Sequence, residues 1–101
     1  MTRVTVWVDG DRHSIHAEGH AGDIEACNYI TGVLYSLAGF ATNEVKQGRA
    51  KLLKKMLLSP GEVIIDAAGE ERLEAAFEMA VVGLLQLQAT RPEAIRVEIM
   101  E

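Results

Sequence analysis

Apolar and polar positions alternate one for one near the start of the chain, where Val4, Val6 and Val8 are interleaved with Arg3, Thr5 and Trp7. That two-residue period belongs to a strand with one buried face, and Asp9-Gly10-Asp11 supplies turn chemistry after it. A second strand from about Arg12 to Glu18 follows, with His13, Ile15 and Ala17 on one face and Ser14 and His16 on the other. Gly19 ends it. Past Gly22 the period lengthens: Ile24, Cys27, Ile30, Leu34, Leu37 and Ala41 recur at three- and four-residue intervals, the stripe of an amphipathic helix with Asp23 as its N-cap. This helix is expected to end near Thr42-Asn43.

The stretch from Asn43 to Ser59 fits two patterns. Val45, Arg49, Leu52, Leu53, Met56 and Leu57 suit a helix, whereas Ser59-Pro60-Gly61 ahead of Val63-Ile64-Ile65 suits a hairpin turn. Further on, Gly69 and the acidic pair Glu70-Glu71 precede a second helix, whose face is Leu73, Phe77, Ala80, Val81, Leu84 and Leu87. Arg91-Pro92 breaks it, and Ile95, Val97 and Ile99 alternate with Arg96 and Glu98 in a closing strand. Three or more amphipathic strands and two helices sharing one core predict an α+β two-layer sandwich, with both helices on one sheet face.

Length and charge narrow the function classes. A chain of 101 residues fits one domain, taken as residues 1–101. Its formal charge of −5 disfavours a nucleic-acid partner. The same field would attract a basic polypeptide, though only as a point of consistency. No apolar run approaches the roughly 20 residues of a membrane-spanning helix, and the N-terminus opens directly into a strand pattern, so no membrane partner and a cytoplasmic location are expected. The single cysteine excludes an intrachain disulfide and a Cys-rich metal site. No phosphate loop, dinucleotide fingerprint or paired-carboxylate motif is present. His13 and His16 point to opposite strand faces, with no third ligand at metal-binding spacing. No metal or cofactor is expected, and Glu18, Glu25, Glu70 and Glu71 read as solvated or dipole-compensating charge. Trp7 and Tyr35 can be read as substrate-binding aromatics, but a single aromatic on a strand or helix face is more commonly packing or a dimer contact, and neither is assigned a role.

The chemistry therefore concentrates in Gly19-His20-Ala21-Gly22-Asp23-Ile24-Glu25-Ala26-Cys27, which sets an imidazole in a glycine-flanked loop and a thiol in the first turns of the next helix. A thiol reacts as its anion, which a protonated imidazole and the positive end of a helix both favour. His20 would return a proton to a leaving amine, and main-chain N–H groups near the helix start would hold an oxyanion. Asp23 has two candidate roles, capping the helix and orienting His20. Cys27 also has a plainer reading as an inert core thiol on the helix's apolar stripe.

Gly19-His20-Ala21, followed by Cys27 and by a hydroxyl residue at Thr31, resembles the ribosomal-processing cysteine proteases of the Prp family. The resemblance extends over essentially the whole chain, to the Pro-Glu-Ala-Ile-Arg-Val-Glu-Ile strand at residues 92–99. It implies a dimeric bacterial enzyme that removes the N-terminal extension of a large-subunit ribosomal protein. His20 and Cys27 would be catalytic and Asp23 a further candidate, with Gly19, Ala21, Gly22 and Thr31 supporting the site. It also favours a hairpin at about Lys51 to Asp66, giving strand and helix order ββαββαβ. Asn28 and Tyr29 stand where relatives have small residues, and are expected to bring bulk close to the site. The alternative function is a non-catalytic dimeric domain that binds a ribosomal or other protein tail without cutting it. A thiol redox sensor is less favoured, because no second cysteine exists to resolve an oxidised form.

Overall fold

The computed structural model describes residues 1–101. β1 (Thr2–Asp9) and β2 (Arg12–Gly19) form an antiparallel hairpin, with Thr2 opposite Gly19 at one end and Asp9 opposite Arg12 at the other. Gly10 has φ +60° in the two-residue turn, the sign that a tight hairpin needs at its first central position. α1 (Ile24–Lys46) follows, then the short strands β3 (Ala50–Leu52) and β4 (Leu57–Ser59), then β5 (Glu62–Gly69), α2 (Glu71–Thr90) and β6 (Ile95–Met100). The sheet order is β3-β5-β2-β1-β6, with β4 also paired to β5. β6 runs parallel to β1 and the other pairs are antiparallel.

This order explains why both helices lie on one face. The connection through α1 leaves β2 and crosses to β3 on one side of the sheet. The connection through α2 leaves β5, which points the opposite way, and crosses to β6 on the other side. Two right-handed crossovers in opposite directions from oppositely directed strands deliver their helices to the same face. There Val4, Val6, Ile15, Ala17, Val63, Ile65 and Ala67 meet Ile30, Leu34, Leu37 and Ala41 of α1 and Leu73, Phe77 and Leu84 of α2. The expected α+β sandwich is the observed architecture, with one strand more than anticipated.

The extra strand comes from a break in the expected hairpin arm. Leu52 pairs with Ala67 and Leu57 with Ile64, so the four residues 53–56 face only Ile65 and Asp66. The surplus bulges out of the edge, and Lys54 and Lys55 stand exposed in it. A bulged, charged edge resists pairing with another chain. Behind it Asp66 is fully buried and receives Arg12 in a two-pronged ion pair, Nε to Oδ1 at 3.0 Å and Nη2 to Oδ2 at 2.8 Å. These hydrogen bonds raise the Arg12 pKa above its usual value.

α1 departs from the expected stripe at both ends. Ala26 is buried and Ile24 is 76% exposed, because the stripe Ala26, Ile30, Leu34, Leu37 and Ala41 leaves Ile24 on the far side of the helix. The helix also runs past Asn43 to Lys46, carrying Glu44 into the interior at 1% exposure. Arg49 (Nη2 to Oε2, 2.7 Å) and Arg72 (Nε to Oε1, 3.0 Å) clasp that carboxylate. Their hydrogen bonds, Arg49's first, hold its pKa down at about 2. At the end of β1 and in β6, Val8 and Ile99 remain substantially exposed. No helix is long and apolar enough to cross a membrane.

Candidate active site

β2 delivers Gly19 and His20 to one end of the sheet, and Gly22, at φ +86°, turns the chain into α1. Asp23 is the N-cap: its Oδ1 accepts from the N–H groups of Glu25 at 2.9 Å and Ala26 at 3.3 Å. Its carbonyl accepts from the Cys27 N–H at 3.0 Å, which fixes Cys27 in the first turn of α1. The thiol is half-buried, at the flank of the apolar stripe rather than inside it.

His20 and Cys27 line one cleft of about 320 Å³, together with Gly19, Thr31, Tyr35, Thr2 and the turn Ser59-Pro60-Gly61. The structure thus brings together four of the seven candidate site residues: Gly19, His20, Cys27 and Thr31. Ala21, Gly22 and Asp23 lie outside the cleft lining. Ala21 is buried beneath the loop and packs in the core. The second carboxylate oxygen of Asp23 pairs with Arg91, at the end of α2, and no hydrogen bond or ion pair joins Asp23 to His20. In the structure Asp23 caps and anchors the cysteine-bearing helix.

Of the expected oxyanion donors at the helix start, the Glu25, Ala26 and Cys27 N–H groups are occupied, all bonded to Asp23. The Ala21, Gly22 and Asp23 N–H groups donate to no backbone carbonyl and remain available in the loop. The bulk expected from Asn28 and Tyr29 falls elsewhere: the Tyr29 hydroxyl donates to the Gly83 carbonyl at 2.9 Å, and both residues line the groove between the helices. One helical step from Cys27 turns them away from the cleft and toward α2.

Gly61 lines the cleft without having been singled out as a site residue in the sequence, and Tyr35, left unassigned there, lines it as well. Pro60-Gly61 occupies the two central positions of a tight turn, and Gly61 has φ +83°, as a type II turn requires. The Gly19 N–H donates to the Gly61 carbonyl at 2.9 Å, which draws this turn to the base of the His20 loop. A Cβ on Gly61 would lie 3.1 Å from His20 Nε2 and 3.2 Å from Cε1, so the imidazole rests directly on the glycine. Tyr35 had a usable signal: Cys27, Thr31 and Tyr35 are spaced four apart and share one helix flank.

The fold and cleft define a class first: a small two-layer α+β domain presenting a thiol and an imidazole at one end of its sheet. No protein-family model matches the chain. No curated protein matches it either. Among solved structures the fold is that of Prp, a ribosomal processing protease. The Staphylococcus aureus enzyme in complex with a covalently linked product peptide superposes with a TM-score of 0.78 at 17% identity, over 99% of this chain and 100% of that one. The same enzyme with a substrate peptide gives 0.74 at 13% identity and the same coverage. SMU.848 from Streptococcus mutans gives 0.71 at 20% identity, over 99% and 94% of the two chains.

Proposed function

We propose that the chain is a cysteine endopeptidase that removes the N-terminal extension of a large-subunit ribosomal protein, with the Cys27 thiolate as nucleophile and His20 as general acid and base. The observation that carries this reading is that His20 and Cys27, seven positions apart across a turn, line the same open cleft. The structural likeness to a protease held with peptides supports it.

In this mechanism the Cys27 sulfur attacks the scissile carbonyl carbon, and the carbonyl electrons move onto oxygen. Collapse of the adduct breaks the C–N bond, and His20 protonates the departing amine. A water molecule, deprotonated by the now neutral His20, hydrolyses the thioester and restores the thiolate. Asp23 acts through the helix it caps, holding Cys27 in place, while Gly61 sets the floor on which His20 rests. The net charge of −5 favours approach of a basic tail.

The test uses a peptide spanning the N-terminus of the host's own large-subunit ribosomal protein, incubated with the wild type, Cys27→Ala and His20→Ala. Wild-type cleavage is expected, with loss of turnover in Cys27→Ala and a fall of roughly 10²–10⁴-fold in His20→Ala. Peptide binding without cleavage by the wild type, unchanged in Cys27→Ala, would instead identify a tail-binding domain.

A further inference from the structure

Beyond the cleft, the open face of the sheet carries a second group of ligand-bearing side chains. His16 and Glu18 sit two residues apart on β2 and share a face, and β5 brings Glu62 directly opposite Glu18. One ligand atom from each of the three lies within 4.8 Å of the others. His16 Nε2 and a Glu62 carboxylate oxygen are 2.8 Å apart. We propose that His16, Glu18 and Glu62 form a binding site for one divalent transition-metal ion of the zinc class.

Three features support metal binding over a simple His–Glu pair. First, like charges directly opposite one another on neighbouring strands destabilise a sheet, and Glu18 and Glu62 are such a pair. His16 satisfies only Glu62. Arg3, the β1 residue opposite Glu18, forms no ion pair with it. A dication would neutralise both carboxylates at once. Second, one imidazole and two carboxylates form a donor set that Zn²⁺ accepts, leaving a fourth tetrahedral position for water. Third, the geometry is within reach. Zinc bonds of about 2.0–2.2 Å place tetrahedral donors roughly 3.4 Å apart. The 2.8 Å contact must open by about 0.6 Å, and since all the ligand atoms lie within 4.8 Å of one another, no separation must close by more than about 1.4 Å. The His16 and Glu62 side chains, 29% and 43% exposed, have room to make that adjustment.

The position also matters. Glu18 precedes Gly19-His20, and Glu62 follows Gly61, on which His20 rests. A bound ion would tie β2 to β5 immediately behind the two segments that place the imidazole. The metal site itself does not depend on any activity of Cys27.

Cys27 and His20 are themselves zinc ligands by type, so the experiment uses full-length Cys27→Ser protein, stripped with chelator and titrated with ZnCl₂ by calorimetry. One saturable site of micromolar affinity is expected. In the same background, His16→Ala and Glu18→Gln should each weaken it by at least about tenfold. Glu25→Gln, an exposed carboxylate removed elsewhere, should leave it unchanged. Far-UV circular dichroism checks that each variant is folded, and a Co²⁺ titration reports tetrahedral coordination through its visible absorption. Absence of saturable binding in Cys27→Ser overturns the proposal, as does binding that survives His16→Ala or falls equally in Glu25→Gln.

Discussion

Replacement of Gly61 by alanine tests whether His20 works from where the fold puts it. The substitution has two separable effects. The backbone at Gly61 has φ +83°, and an L-residue held in the left-handed region costs about 1–2 kcal/mol. For a domain of this size that corresponds to a fall in Tm of roughly 4–16 °C. The new Cβ would also lie 3.1 Å from His20 Nε2, so the ring must retreat by a few tenths of an ångström. Since about one ångström of misplacement costs on the order of 10²-fold in rate, this smaller retreat should cost roughly three- to tenfold. Gly10→Ala is the control: its φ is +60°, and nothing lies within 4 Å of the added Cβ. Both variants should lose stability, and only Gly61→Ala should lose peptide cleavage and Cys27 alkylation rate. Gly61→Asn adds the same Cβ with a residue that tolerates left-handed backbone, so its Tm should fall less while its rates fall as far. Thermal melts and alkylation rates followed by mass spectrometry supply both readouts. Equal alkylation and cleavage rates in Gly61→Ala and Gly10→Ala would refute the assignment of His20 to the chemistry from this position.

Leu84 is fully buried and lies outside the cleft, so Leu84→Ala should cost about 2–5 kcal/mol in urea unfolding and leave the cleavage rate per folded molecule unchanged. Asp23→Ala removes a helix cap worth about 1 kcal/mol. Because Asp23 does not bond to His20, the pH dependence of Cys27 alkylation should keep its shape in this variant, and a change there would restore the orienting role. Glu44 gives a pH prediction with a definite sign. Its folded pKa is depressed to about 2 from an ordinary 4.5, so the stability it contributes is present above pH 4.5 and is lost as pH falls toward 2. Acid titration of Glu44→Gln should show a shallower loss of stability across that window than the wild type, and identical slopes would contradict the depressed pKa.

The local periodicities carried most of the architecture. Alternation around Val4–Val8 and Ile95–Ile99 and the helical stripe from Leu73 to Leu87 each lie within one element, and each element formed where expected. Errors arose where a distant partner decides the outcome. Helix α1 runs beyond Thr42-Asn43 because Glu44 is neutralised by Arg49 and Arg72, and Arg72 is 28 residues away in sequence. The broken edge of β3 and β4 depends on the register against β5, which no count of apolar residues in that stretch specifies.

The same division runs through the cleft. His20 and Cys27 were legible because seven residues and one turn connect them, and a helix start constrains where the second falls. Gly61 was not, because its contact with His20 depends on one long-range hydrogen bond, from Gly19 to Gly61, between elements that meet only when β2 pairs with β5. That pairing also sets Glu62 beside His16, 46 residues away. One register therefore fixes the floor under the imidazole and the three ligands behind it. A shift of β5 by a single residue would turn Glu62 to the core face and withdraw Gly61 from His20 together. The tight Pro60-Gly61 turn, whose type II geometry sets that register at its end, is accordingly the point where the fold of this chain and the placement of His20 depend on the same residue.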